Sequence, residues 1–256
     1  MNNTIMSTVT ETPQEKARMD DLLMHMLPTG FSTALDVGTR FGHLSKRLAD
    51  HFDCITALDL ELPDIQHDKI VNAQGNVTCL KYPNDNFDVV YCEEVLEHLP
   101  QDILTQACAE LSRVARHHLI IGVPYRQDIR FGQTTCFTCG KKNPPWGHIN
   151  SFDENKLIKL FPDLRLEKAT YIGESKDVTN FVSTLLMDLA GNPYGTYSQD
   201  EPCLHCGARL KSPPERNIFK KIFTRLALIL RKSQLYFVKP FPRWIHVMLT
   251  KNEIIR

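Results

Sequence analysis

No stretch of this sequence is long enough and apolar enough to cross a bilayer. The longest apolar run near the C-terminus, LALIL at 226–230, is far short of the roughly 20 residues a spanning helix needs. The opening segment, MNNTIMSTVTETPQ, lacks the basic start and apolar core of a secretory signal. The formal net charge is +0, so no global field directs the chain to nucleic acid or to a membrane. There is no low-complexity segment, and no internal repeat beyond two cysteine turns. These absences predict a cytoplasmic protein. In that reducing compartment the eight cysteines are not expected to form a disulfide framework. Cys54, Cys79, Cys92 and Cys108 stand singly and read as small buried apolar residues.

What is present is an alternation of strand-like and helix-like runs over 256 residues, 42% of them hydrophobic. This fits one α/β domain with insertions, or a domain plus a small module. The spacing of Met19, Leu22, Leu23, Met26 and Leu27 predicts an amphipathic helix over 12–27. Strands are predicted at 32–37, 54–59, 69–74, 87–92, 117–124, 164–173 and 244–252, with helices at 42–51 and 101–115. Short β-branched runs between helices indicate a mostly parallel sheet covered on both faces. A long insertion, 174–243, separates the last two strands.

The first strand runs into LDVGTRFGHLSKRLA, a glycine-containing turn followed by a helix. Such a turn makes a ligand site at the strand's C-terminal end. Gly38 allows close backbone approach to a ligand, and Gly42 lets the helix start pack closely. Asp59 ends the second strand, where a carboxylate can accept both hydroxyls of a ribose. Further on comes GNVTCLKYPNDNFDVVYCEEVLEHLP at 75–100. Taken in order over roughly 30–125, these segments resemble the class I S-adenosylmethionine-dependent methyltransferases of the EVLEH type. The resemblance implies a Rossmann-like, seven-stranded, mostly parallel sheet with helices on both faces. It also implies roles residue by residue. Asp36 and Gly38 would face the methionine end of S-adenosylmethionine, and Asp59 the ribose. Asn76 and Val77 would lie at the adenine edge, with Glu93 or Glu94 lining the pocket. The sequence departs from the family pattern twice: Arg40 replaces a glycine, and Asn76 replaces an acid. Arg40 is expected to face the cofactor carboxylate, and Asn76 can still accept from the adenine amino group.

Methyl transfer from a sulfonium to a hydroxyl or amine needs alignment and removal of a proton. His98, His148, Glu94 and Tyr125 are the candidates for that work. Glu94, Glu97 and His98 form E-x-x-E-H, and His148 is a further donor. Similar residues hold a divalent cation in certain O-methyltransferases, which implies metal assistance as an alternative. The expected acceptor is a small molecule, a glycan or a lipid-linked intermediate, with oxygen ahead of nitrogen. An RNA acceptor is the first alternative. A non-catalytic cofactor-binding partner protein is the second.

Two CxxCG turns remain, Cys136-Phe-Thr-Cys139 and Cys203-Leu-His-Cys206. Together they offer four sulfurs, the tetrahedral set that a structural Zn²⁺ prefers. His148 and His205 are spare donors nearby. From Lys211 to Arg243 there are nine Lys or Arg against one acid, Glu215. Within it, 217–232 reads as an amphipathic helix. The simplest expectation is a lid packing its apolar face on the domain. Peripheral contact of 217–244 with anionic membrane is the alternative. The resulting organisation is a cap at 1–29 and a core of 30–130, 148–173 and 244–256. A zinc-knuckle pair occupies 131–147 and 192–212, and a basic insertion 213–243.

Overall fold

A computed structural model describes residues 11–251; the opening segment before Glu11 and Asn252, the last residue of the final expected strand, lie outside them. In chain order the elements are α1 (Pro13–His25), β1 (Thr33–Val37), α2 (His43–Leu48), β2 (Cys54–Asp59), β3 (Ile70–Gln74) and β4 (Phe87–Glu93). They continue with α3 (Gln101–Val114), β5 (Ala115–Pro124), β6 (Thr134–Thr135), β7 (Lys142–Asn143) and α4 (Glu154–Leu160). The last are β8 (Leu164–Ser175), α5 (Phe181–Leu189), α6 (Ile218–Leu235) and β9 (Phe241–Lys251).

Seven strands form one sheet in the order β3-β2-β1-β4-β5-β9-β8. The pairings from β3 to β5 are parallel, and β9 runs antiparallel to both β5 and β8. The expected seven-stranded, mostly parallel sheet is therefore present. β6 and β7 pair separately as a small ribbon.

The inner strands β1, β4, β5 and β9 are largely buried on both faces, and strand alternation sorts their residues between two cores. Leu35, Val90, Ile121 and Val247 pack on the face covered by α3, whose Leu104, Ala107, Cys108, Leu111 and Val114 follow helical spacing. Ala34, Val89, Tyr91, Ile120 and Met248 pack on the other face, against Leu22 and Met26 of the α1 region and Leu44 and Leu48 of α2. Asp36, Glu93, Gly122 and His246 alternate onto that second face as well. His246 there pairs with Asp21 of α1, and the Asp36 carboxylate accepts from Ser45 of α2.

α1 begins where its sequence says it should. Thr12 caps the helix, Glu15 completes a reciprocal capping box, and Pro13 occupies the first turn. Asp153 caps α4, through a bond to the Lys156 amide of 2.9 Å.

Two expectations fail here. Cys92 and Cys108 are buried, but Cys54 and Cys79 are exposed. Cys54 is the first residue of β2, at the open N-terminal end of that strand, and Cys79 closes the tight turn that bridges back to Asn76. The second failure is α6, which does not pack its apolar face on the domain. It buries Thr224 and Ala227, while Phe219 is 66% and Ile229 57% exposed. No helix among the described residues is long and apolar enough to cross a membrane.

Candidate active site

A cleft of about 710 Å³ opens at the C-terminal ends of β1, β4 and β5. This is the edge at which open α/β sheets bind ligands, and the size suits a small-molecule site. Asp36, Gly38, Thr39 and Arg40 line it from the β1–α2 turn, and Glu93, Glu94 and His98 from the β4 end. Tyr125, Gln127 and His148 line the far wall, and α1 forms a lid through Glu15, Arg18 and Met19.

The β1–α2 turn is built for close approach. Gly38 has φ 78°, and a Cβ there would overlap the Val95 side chain. Arg40 has φ 45°, a left-handed conformation that suits the glycine it replaces. The Asp36 carboxylate is buried and accepts from the hydroxyls of Thr39 and Ser45. Burial, opposed by those bonds and helped by the charges of Glu93 and Asp59, pushes Asp36 up to about 6. A cationic amino or sulfonium group would find a fixed partner there.

Asp59, Asn76 and Val77 lie beyond the cleft wall, on the adjoining ends of β2 and β3. The backbone amide of Arg40 donates to Asp59 Oδ2 at 2.8 Å, and that of Leu60 to Oδ1 at 2.7 Å. Each oxygen keeps a free lone pair, the arrangement needed to accept two vicinal hydroxyls. Asn76 Oδ1 accepts from the Thr78 amide at 2.9 Å, and Val77 is buried beside Leu80 in the α3-side core.

His98 ends a short 3-10 turn, Leu96–His98, before α3. Its ring meets that of His148 edge-on, with centroids 4.7 Å apart. His148 Nδ1 donates to Gln127 Oε1 at 2.7 Å, which leaves Nε2 with its lone pair. Burial, then the neighbouring His98 and Arg18, lowers His148 to about 3, and burial also lowers His98. Both rings are thus held neutral, with a lone pair free for a hydrogen bond or a cation, and His148 in particular is a weak base. Glu97 stands beside them, fully buried, with neither carboxylate oxygen hydrogen-bonded to any described residue. Burial, and next the charge of Glu94, pushes Glu97 well above the usual carboxylate range. Ligand atoms of Glu97, His98 and His148 all lie within 4.8 Å of one another.

Glu94 and Tyr125 are already engaged. Glu94 ion-pairs with Arg18 of the lid at 3.2 Å, and the Tyr125 hydroxyl donates to Glu154 at 3.0 Å. Burial and that bond raise Tyr125, so its phenol is a poor base.

Sequence reasoning missed a further set. His246 is fully buried in β9, between Asp21 of α1 at 3.1 Å and Glu93 of β4 at 3.2 Å. Gly122 sits between Glu93 and His246 in the strand register. A Cβ at Gly122 would overlap the Glu93 carboxylate, so the missing side chain lets Glu93 reach across β5. The available signal was a histidine inside an otherwise apolar central strand, WIHVML, which requires a buried partner.

The four cysteines of the two turns come together, as their spacing implied. Cys136 and Cys206 sulfurs are 3.7 Å apart, Cys139 and Cys203 3.6 Å, and all four lie within 4.8 Å. Backbone amides of the first knuckle lower Cys136 to about 6, the direction a thiolate ligand needs, while, against the Ala208 amide, burial and the neighbouring sulfurs push Cys206 up to about 12. His148 is in the cleft with Glu97, and His205 Nε2 bonds the Lys142 carbonyl at 3.1 Å. The cysteines therefore form the donor set alone.

Comparison with known proteins agrees with this geometry. Residues 35–120 match the family model described as a methyltransferase domain. An uncharacterized methyltransferase of Mycobacterium tuberculosis is 32% identical over 87 residues, 31% of this chain and 44% of that protein. The chain thus spans less than half the length of the curated relatives it matches. Among solved structures, a Bacillus halodurans methyltransferase candidate aligns with a TM-score of 0.56 and 14% identity, over 91% of this chain and 97% of that one. The [4+2]-cyclase SpnF aligns with a TM-score of 0.52 and 15% identity, over 96% and 84%. These likenesses show the fold, and a cyclase among them shows that the fold alone does not fix the reaction. The family match spans the turn, the Asp59 strand and the EVLEH segment, so over residues 35–120 the chain is similar to a methyltransferase domain.

Proposed function

We propose that the protein transfers a methyl group from S-adenosylmethionine to an oxygen of a small-molecule, glycan or lipid-linked acceptor. The observation that carries this reading is the coincidence of the matched domain with a cleft that holds Asp36, the Gly38 turn and neutral His98 together. When bound, S-adenosylmethionine supplies a methyl on a sulfonium, which needs only an aligned nucleophile. Asp36 would meet its methionine amino group, Arg40 its carboxylate and Asp59 its ribose. Asn76 and Val77 form the adenine edge, with Asn76 able to donate through its amide nitrogen while Oδ1 holds Thr78. Glu93, tied to His246, closes the floor of the cleft. His98 takes the acceptor's proton, and His148 holds the ring of His98 in place. The lid helix keeps water from the reacting atoms through Arg18 and Met19.

A specific observation favours a second reading of the same reaction. The unpartnered Glu97 carboxylate beside two neutral imidazoles is a donor set suited to a divalent cation. Such an ion would lower the pKa of the acceptor hydroxyl and position it. His98 and His148 would then be ligands. A rise in melting temperature with Mn²⁺, lost in His148→Ala, supports this version; no shift leaves His98 as the base.

The knuckle cysteines would hold a structural Zn²⁺ with no open position, stapling the segment after β5 to the segment after α5. The experiment that tests the main reading is methyl labelling of a cell extract by radiolabelled S-adenosylmethionine. Label in organic-soluble or small-molecule fractions, lost with His98→Ala, is expected. Label confined to RNA points to the RNA methyltransferase alternative. No label, by protein that binds the cofactor, points to a non-catalytic partner protein.

A further inference from the structure

The hairpin of α5 and α6 leaves an apolar surface without a partner among the described residues. The helices run antiparallel. Asn180, the cap of α5, bonds Gln234 near the end of α6 at 2.8 Å, and Lys220 near the start of α6 approaches Gly191 after α5. α6 turns Thr224, Ala227 and Arg231 inward. Arg231 stacks on Phe131 at 4.0 Å and pairs with Asp177 at 3.3 Å, and both partners line the active-site cleft. The hairpin is therefore anchored to the rim of that cleft.

The opposite side of α6 carries Ile218, Phe219, Ile222, Leu226, Ile229 and Leu230, all exposed. At about 3.6 residues per turn they fall within an arc of roughly 120°. Lys221, Arg225 and Lys232, also exposed, form a row along one edge of that arc. Tyr236 and Phe237 extend the apolar stripe past the helix, each 89% exposed. α5 presents Phe181, Val182, Leu185 and Leu189 to solvent as well.

Charge decides which occupant fits this face. Residues 218–235 contain no acidic side chain. A second copy packed face to face would bring like charges together with nothing to neutralise them. Nucleic acid would satisfy the cations and leave the apolar arc in water. A bilayer with anionic headgroups satisfies both: the arc enters the acyl boundary and the cations meet the headgroups.

We propose that α6 lies in the headgroup layer of an anionic lipid bilayer and holds the cleft rim against it. On the methyl-transfer reading, the acceptor is then a membrane-borne amphiphile whose polar end reaches the cleft past Phe131.

The test is flotation of the full chain with phosphatidylcholine vesicles, with and without about 30% phosphatidylglycerol, at low salt. Binding is expected to the anionic vesicles alone, and to weaken with added salt. Ile222→Ser with Ile229→Ser should weaken it at least roughly tenfold. Replacing Lys221, Arg225 and Lys232 by Gln should weaken it on the order of a hundredfold. Both variants should keep the wild-type melting temperature and S-adenosylmethionine affinity, which separates this proposal from the methyl-transfer reading. Folded wild-type protein that fails to float with anionic vesicles overturns the proposal. So does a solution dimer dissociated by the Ile222→Ser and Ile229→Ser changes, or binding to single-stranded RNA without binding to vesicles.

Discussion

Consider the titration of His246. It is buried between Asp21 and Glu93, and burial alone would lower its pKa. The two carboxylates overcome burial and raise it from 6.5 to about 9. A histidine raised in the folded state stabilises fully below its unfolded value and loses that contribution as pH rises through the folded value. At 1.36 kcal/mol per pH unit, the interval from 6.5 to about 9 corresponds to about 3 kcal/mol. In a chain of this size that is a fall in melting temperature of roughly 6–12 °C between pH 6.5 and pH 10. Cysteines and lysines titrate in the same range, so the quantity to measure is the difference between wild type and His246→Gln across that range. Nitrogen chemical shifts of the His246 imidazole give the pKa directly. Gly122→Ala should displace the Glu93 carboxylate, lower that pKa and flatten the curve. A neutral His246 at pH 7, or parallel curves for wild type and His246→Gln, would refute the reasoning.

Other consequences are as direct. Metal analysis should find one zinc per chain, and Cys139→Ser should remove it and lower the melting temperature while S-adenosylmethionine still binds. Asp59→Ala removes the carboxylate proposed to accept the ribose hydroxyls and should weaken S-adenosylmethionine binding roughly 10–100-fold in a calorimetric titration. Arg40→Gly relieves the left-handed backbone at φ 45° and should stabilise the fold by about 1 kcal/mol in a denaturant titration, while weakening cofactor binding. Ile222→Ser, at an exposed position, should change stability by no more than about 0.5 kcal/mol.

The strands, their order along the chain and the ligand-binding turn were legible because each rests on local pattern. Alternation, glycine at the turn and the EVLEH segment all lie within short windows. The meeting of the two cysteine turns was legible despite the long spacer, since two CxxCG turns together offer the four sulfurs that a tetrahedral Zn²⁺ site would use. The buried network was not. Asp21, Glu93, Gly122 and His246 come from α1 and three different strands, and only the strand register brings them side by side. Glu97 was visible only as one letter of a motif; its burial without a partner is a property of the packed site. The orientation of α6 was misjudged for a related reason. Periodicity shows that a helix has an apolar face, but not which face the domain covers.

The most direct test of the account is calorimetric titration of the purified, zinc-loaded protein with S-adenosylmethionine, beside Asp36→Ala. Micromolar binding by the wild type and its loss in the variant are predicted, because on the proposed function the buried Asp36 carboxylate at the cleft would meet the cofactor's cationic end. A folded protein that takes up no S-adenosylmethionine would contradict the assignment of the cleft.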